Sequence, residues 1–431
     1  MSQAWKVRSG TEEVPDGWEL RRVGDLVSLT NGHPFPSDTF GPTGDVPLVR
    51  IRDLGDGPFE TFVTGSVPPS VLLRDGDVVI GMDGDFNLVL WNKGRAALNQ
   101  RLCLLRPRGG VDIRFVAYAL PAALKIINDL TFSTTVKHLS SSDVLSERIM
   151  LPPLEEQRRI ADFLDAETGR IDGLTGMRRR QIDKVAERYS AFLSELVVPG
   201  AGAPGARHPL WPWLPASVAT ARLGYLARVQ TGVTVHGARD RSSDDAEYPY
   251  LRVANVQGEW LDLSEIKTIT IPVAMARRST LRPGDVVMTE ANGNPDNLGR
   301  GAVWTGEIAG MVHQNHVFAI RADRRRLIPD YLSALLASSH GRTYFRFTST
   351  QVGIATTSSS KVLDFPVPTL DLRRQREVVK EYEANRATTR QATDALVRQL
   401  DLLAERRQAL VTAAVTGRLD VSSASGRGAA Q

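Results

Sequence analysis

Residues 152–198 read PPLEEQRRIADFLDAETGRIDGLTGMRRRQIDKVAERYSAFLSELVV, and this stretch decides the architecture. Pro152 and Pro153 stand just before Leu154-Glu155-Glu156-Gln157. An early proline gives up an N–H that a helix leaves unbonded anyway, and acids in the first turn suit the positive end of the helix dipole. Apolar residues then step by threes and fours through Ile160, Leu164, Ile171, Leu174, Ile182, Val185, Tyr189, Phe192 and Leu196. The stripe predicts one long helix with a single apolar face. A second stripe runs through Val378, Tyr382, Ala392, Leu396, Leu400, Leu403, Leu410 and Ala414. At about 1.5 Å per residue, some 45 residues make a rod of about 65 Å. Two rods with one sticky face each most simply cover one another as an antiparallel coiled coil.

The second rod belongs to a tandem duplication of the whole chain, with a period far longer than a solenoid unit. Pro15, Val23, Gly24, Leu26 and Gly32 recur 200 residues on as Pro215, Leu223, Gly224, Leu226 and Gly232. Val49-Arg50-Ile51 echoes as Leu251-Arg252-Val253, and Arg74-Asp75-Gly76-Asp77-Val78-Val79 as Arg282-Pro283-Gly284-Asp285-Val286-Val287. From Ser140 onward the offset settles at 218 and holds without a gap through Ala409. Each half therefore has a front of variable length and a back of fixed length. A back that tolerates no insertion behaves as a rod whose length matters, and a front with shifting gaps behaves as loops on a scaffold.

The fronts carry short strand-like runs at Val46 to Ile51, Asp77 to Ile80, Leu102 to Leu105, Val286 to Met288 and Val317 to Ile320. Gly, Pro and Asp punctuate them, as in Leu54-Gly55-Asp56-Gly57-Pro58, and short helical patterns lie near Phe115 to Leu124 and Tyr331 to Leu336. The expected fold class is α+β: two globules in tandem, each followed by a long helix, the two helices pairing antiparallel. The expected boundaries are a first globule over 1–150, a helix over 151–200, a second globule over 201–368 with a Gly/Ala/Pro-rich linker at 201–215, a helix over 369–420 and a disordered tail over 421–431.

Composition bounds the function without choosing it. The chain has 431 residues, 42% hydrophobic and 24% charged, which suits two or three folding units and neither disorder nor a disulfide scaffold. The single Cys103 forms no internal disulfide and fits a reducing cytosol. No apolar run reaches the roughly 18 residues that span a bilayer, and MSQAWKVRSG lacks the core of a signal peptide, so a cytoplasmic protein with no membrane partner is expected. A net charge of +4 permits a polyanionic partner without requiring one. The first rod, with eight Lys/Arg against nine Asp/Glu, is a solvated face rather than a phosphate stripe.

Catalytic constellations are missing. A methyltransferase needs a glycine-rich cofactor loop and an Asn/Asp-Pro-Pro-aromatic tetrad, whereas Asn294-Pro295-Asp296 reads as a turn. Glu265-Ile266-Lys267 near Asp262 is the nearest approach to a Mg²⁺-holding acid cluster, and it reads as an exposed strand edge. His313 and His316 have helix-type metal spacing on a strand, where they face opposite sides. There is no phosphate loop. No cofactor and no metal are expected.

Reading base edges needs Arg for guanine and Asn or Gln for adenine. Asn99-Gln100-Arg101 and its repeat mate Gln314-Asn315-His316 lead into strands, and Lys137-His138 and Thr350-Gln351 lie on loops before the rods. Arg50 with Arg52, and Arg252 with Asn255, flank another strand. These are the candidate DNA-binding residues.

The order globule, long helix, globule, long helix resembles the specificity subunits of type I restriction-modification systems. Val14-Pro15-Asp16-Gly17-Trp18-Glu19, Leu73-Arg74-Asp75-Gly76-Asp77-Val78-Val79, the block from Leu151 to Ala161 and Thr412-Ala413-Ala414-Val415-Thr416-Gly417-Arg418-Leu419 are similar to that family's signatures. The second copy departs from the pattern: Val367-Pro368-Thr369-Leu370-Asp371-Leu372-Arg373-Arg374-Gln375 lacks the double Pro and the acidic pair, which leaves the start of the second helix open. The resemblance implies two target recognition domains, each reading half of a bipartite double-stranded DNA site. It also implies helices that set the spacing and bind two DNA methyltransferase subunits, with restriction subunits joining through that core. The chain itself would be non-catalytic. The alternatives are a protein-binding coiled-coil scaffold without DNA specificity and, behind it, a self-contained nuclease.

Overall fold

The computed structural model describes residues 14–55, 57–130, 137–234, 243–299, 301–350 and 354–421. Two uninterrupted helices of 44 residues, Leu154–Val197 and Leu372–Val415, form the rods, and both ends of the second lie 218 residues beyond those of the first. The second rod begins in register without the double proline because Asp371 caps it. The Asp371 Oδ1 accepts from the Arg374 N–H at 2.7 Å, and its carbonyl accepts from the Gln375 N–H at 3.0 Å.

The chain divides into two compact units, residues 1–178 with 398–431 and residues 179–397, so each unit holds one globule and a segment of each rod. In the first unit an antiparallel sheet runs in the order Val27–Asn31, Leu102–Pro107, Val78–Gly81, Leu88–Leu90. The helix Ile113–Leu130 buries Phe115, Val116 and Leu120 in a core that also takes Ile160 and Leu164 of the first rod and Ala414 and Val415 of the second. Further along, Asp172 meets Arg407 at 3.4 Å. The chain advances on one rod as it retreats on the other, so the segments run antiparallel. The second unit repeats the scheme with the sheet Ala227–Gln230, Val317–Ala322, Asp285–Thr289, Gly301–Val303 and the helix Pro329–Ala337. There Leu193 and Val197 share a core with Val378 and Tyr382. The stripes are buried where a globule closes over them. Leu174, Ile182, Val185, Leu396, Leu400 and Leu403 are half-buried, and Ala392 is exposed.

Two devices recur in both units and explain the repeated motifs. Asp77 accepts from the Arg74 N–H at 3.0 Å and from the Arg106 guanidinium at 2.8 and 2.7 Å. Asp285 does the same with the Arg282 N–H (2.8 Å) and Arg321 (2.8 and 2.6 Å). Gly76 and Gly284 turn the chain there at φ of 90° and 91°, a region in which side chains other than Gly are strained. The motif is thus a turn locked by a buried carboxylate. Gln157 and Gln375, both buried, tie each globule to its rod. Gln157 donates to the Pro152 carbonyl (2.8 Å) and accepts from the Asp112 N–H (2.9 Å) at the start of the globule's helix. Gln375 donates to Leu370 and Arg326 carbonyls (2.8 and 2.9 Å) and accepts from the Ile328 N–H (2.8 Å).

Residues 201–215, expected as a linker, pack. Leu214 is fully buried, Trp211 and Trp213 lie against the second core, and the Trp213 indole donates to His340 at 2.9 Å. Two indoles and a leucine outweigh the Gly and Ala around them, because each ring buries far more apolar area than a flexible segment exposes. The expected tail lies beyond the described residues from 422 onward.

Candidate nucleic-acid interface

In the first unit the candidates come from three distant stretches and meet along one edge. Val49 pairs in parallel with Leu98, and the Asn99 N–H donates to the Val49 carbonyl at 3.1 Å, which sets Arg50 beside Asn99. The turn Asn99-Gln100-Arg101 follows. Its backbone passes so close to Gly32 that a Cβ there would lie 1.9 Å from the Asn99 carbonyl oxygen, so only glycine fits. The Met82 N–H donates to the Arg101 carbonyl (3.0 Å), and Asp83 bridges antiparallel to His138. Asp83 is 18% exposed and holds two side chains: Arg101 Nη1 lies 3.4 Å from one carboxylate oxygen and His138 Nδ1 2.7 Å from the other. Gln100, Arg101 and His138 are exposed, and so is Arg52 on the 3₁₀ turn Ile51–Leu54.

The second unit builds the same edge. Leu251 pairs in parallel with His313, and the Gln314 N–H donates to the Leu251 carbonyl at 2.9 Å. A Cβ on Gly232 would sit 2.1 Å from the His313 carbonyl oxygen. The Glu290 N–H donates to the His316 carbonyl and the Thr357 N–H to the Glu290 carbonyl, both at 2.9 Å. The Glu290 carboxylate lies 3.0 Å from His316 Nδ1, and the Asn315 amide nitrogen lies 3.4 Å from His316 Nε2. Thr350 exchanges two backbone hydrogen bonds with Thr356, one strand further on, and is exposed. Gln351 lies outside the described residues.

Four candidates are occupied by neighbouring groups of the protein. Arg50 binds Asp53 through Nε at 2.8 Å and holds its 3₁₀ turn closed. Asn255 is buried, accepts from the Arg252 N–H (2.9 Å) and gives its amide hydrogens to Asp262 and Glu265 carbonyls (2.8 and 3.0 Å). It has nothing left to offer a base and is corrected to a loop cap. Arg252 reaches Glu265 at 3.4 Å, and Lys137 Nζ sits on the Asn128 carbonyl and side-chain oxygens at 2.5 and 3.0 Å. Gln314 divides its role, since its Oε1 accepts from the Val253 N–H at 3.2 Å.

Sequence reasoning missed Asp83 and Glu290. A search for donors passes over acids on a candidate DNA face, and the repeat does not single them out, since Asp83 lies six residues after Asp77 and Glu290 five after Asp285, at the position of Met82. The weak catalytic candidates have local explanations. Asp262 accepts from the Ser264 hydroxyl and N–H at 2.6 and 3.1 Å, which lowers its pKa. His313 is buried and bonded to the Val317 carbonyl, while His316 is exposed. No group of three or more His, Cys, Asp or Glu able to hold a metal occurs among the described residues, and no described helix is long and apolar enough to cross a membrane.

Residues 15–182 match the family model for the type I restriction modification DNA specificity domain. The chain is 28% identical over 391 residues to the type I restriction enzyme EcoBI specificity subunit of Escherichia coli, covering 87% of this chain and 80% of that one. It is 23% identical over 400 residues to the EcoKI specificity subunit of Escherichia coli strain K12, covering 86% and 82%. A solved chain described under "Structural basis underlying complex assembly and conformational transition of the type I R-M system" shares the fold, with a TM-score of 0.66 at 19% identity over 94% of this chain and 100% of that one.

Proposed function

We propose that this chain is the specificity subunit of a type I restriction-modification enzyme: it reads a bipartite, asymmetric double-stranded DNA target and positions two methyltransferase subunits, and through them restriction subunits, on that site. The observation that carries the proposal is the duplicated edge. The same turn, carrying Asn99-Gln100-Arg101 in one unit and Gln314-Asn315-His316 in the other, sits on the same parallel strand pair with different side chains at its tip. Two copies of one frame with different tips suit a reader of two different half-sites, because frame and tip carry separate tasks: phosphate contacts position a protein on DNA, and base-edge contacts specify the sequence. The chain supplies recognition and leaves methyl transfer and cleavage to its partners in the cytoplasm. The target recognition domains correspond to residues 1–150 and 201–368, and the spacer helices to 151–200 and 369–420.

Replacing residues 15–150 with the first globule of another family member tests this. The hybrid, assembled with its methyltransferase subunits, is expected to change one half of the target and keep the other, read by mapping methylated bases genome-wide. A hybrid in which both halves change would sink the two-reader arrangement.

A further inference from the structure

Each reading edge carries a carboxylate where DNA would approach, and a free carboxylate there repels phosphate. Asp83 and Glu290 are nevertheless built in. The backbone fixes Asp83 on both sides, through the Met82 N–H to the Arg101 carbonyl and the Gly84 N–H to the Lys137 carbonyl at 3.1 Å. Glu290 is fixed through its own backbone groups, its N–H on the His316 carbonyl and its carbonyl on the Thr357 N–H, which is how Met82 sits between Arg101 and Leu139, so Glu290 stands one residue before the place of Asp83. Both carboxylates point at the last residue of the reading turn, Arg101 in one unit and His316 in the other. The two turns differ in sequence and the two acids differ in length and stand one residue apart in the repeat, yet each carboxylate ends on the last residue of its turn.

An arginine on an open edge loses side-chain freedom when it settles on a base, and one already held in place loses less. Asp83 takes one end of the Arg101 guanidinium through Nη1 at 3.4 Å and leaves Nε and Nη2 to form the two parallel donors that guanine O6 and N7 accept. In the second unit the chain of contacts is one residue longer. An imidazole that donates its Nδ1–H to Glu290 presents Nε2 as an acceptor, and the Asn315 amide nitrogen lies 3.4 Å from that atom. One amide hydrogen turned toward His316 fixes which way the amide faces. The other hydrogen and Oδ1 are then free for adenine N7 and N6.

We propose that Asp83 and Glu290 are positioning residues of the two DNA-reading edges: Asp83 aims Arg101 at a guanine in the half-site read by the first unit, and Glu290, through His316, aims Asn315 at an adenine in the other. The inference rests on the DNA-reading function above. The test uses the full chain assembled with its methyltransferase subunits, and competition binding by duplexes in which each base pair of the mapped target is replaced in turn. Asp83→Asn keeps the shape and removes the charge. It is expected to reduce discrimination roughly 5- to 100-fold at one guanine, the span a bidentate contact carries, with the other positions within about 2-fold. Arg101→Ala relaxes the same position, and the double variant goes no further than Arg101→Ala alone. Glu290→Gln and Asn315→Ala relax one adenine in the opposite half. Equal weakening on every duplex, unchanged preferences, or relaxation of different positions by Asp83→Asn and Arg101→Ala overturns the inference while the two-reader function stands. A wild-type complex that selects no split target overturns both.

Discussion

In the first unit the globule is held to the first rod by ion pairs near the surface. Arg114 Nη1 reaches Asp162 and Asp165 at 2.7 and 2.8 Å, and the Tyr118 hydroxyl donates to Asp165 at 2.7 Å. The second unit has Lys380 and Glu383 at the positions of Asp162 and Asp165 and uses another device. There a loop ending in Glu259-Trp260 reaches both rods. The Tyr189 hydroxyl donates to the Glu259 carboxylate, Arg386 donates to the Glu259 carbonyl at 3.0 Å and lies 5.0 Å over the Tyr382 ring, and Arg390 lies 5.4 Å over Trp260. The frame, by contrast, is the same in both: Asp77 with Arg106 matches Asp285 with Arg321, and Gln157 matches Gln375. The difference separates two kinds of contact. Side chains that satisfy buried backbone groups have no substitute once the chain path is set, so both copies keep them. Side-chain pairs between surfaces can be exchanged whole for another set, and here they have been.

The sharpest way to break the comparison is at the frame. Asp77→Ala and Asp285→Ala each strip a buried carboxylate from an arginine and from a turn, and each is expected to destabilise its own unit by about 3 kcal/mol. Denaturant unfolding followed by tryptophan fluorescence reads this, since Trp91 and Trp304 pair with the two turns, each donating its backbone N–H to the carbonyl of Asp77 or Asp285. Losses that differ by more than about 2 kcal/mol would mean that the two frames are not equivalent.

Acid separates the units next. His340 is buried, accepts from the Trp213 indole through Nδ1 and donates Nε2–H to the Pro366 carbonyl at 2.7 Å, the contacts of a neutral ring; burial lowers its pKa from 6.5 to about 4. Burial lowers that of His313 as well. In the first unit the described histidines are His33, half-buried, and His138, exposed. The unfolded chain takes a proton near pH 6.5 and the folded one does not until about pH 4. The second unit's stability is therefore complete above pH 6.5 and falls as the pH drops toward 4, by about 2 kcal/mol at pH 5 from His340 alone. Thermal melts at pH 7 and pH 5 should show the second unit moving down relative to the first, and His340→Gln should remove most of that shift. Parallel movement of both units would contradict the assignment.

The smallest effects sharpen the contrast between the clasps. Tyr189→Phe removes one half-buried hydrogen bond to a charged group, about 1 to 2 kcal/mol, and its effect should not depend on salt. Arg114→Ala breaks partly exposed ion pairs worth about 0.5 to 1 kcal/mol, and that difference should shrink between 0.05 and 0.5 M salt. Equal salt dependence in the two variants would erase the distinction.

The duplication, the two rods and their shared register could all be read from the sequence, because helical periodicity is local and a gapless offset of 218 residues transmits the length of one rod to the other. The main strand runs were legible for the same reason, although Val46 to Ile51 divides into a strand ending at Val49 and a 3₁₀ turn from Ile51. Residue type also pointed to the candidate turns, since guanidinium and amide groups are what base edges accept. Which candidates stay exposed and which are occupied was decided by the tertiary structure. Asn255 and Arg101 both read as exposed polar residues beside a strand, yet one is buried and spent on carbonyls seven and ten residues away while the other stands 60% exposed against Asp83. The edges join stretches about 20 to 50 residues apart in sequence, Arg50 to Asn99 and Asp83 to Arg101 and His138, and a local pattern carries no information about which of them will meet. That choice belongs to strand pairing, where a glycine at 32 or 232 lets two backbones touch and a one-residue slip would turn paired side chains to the other face.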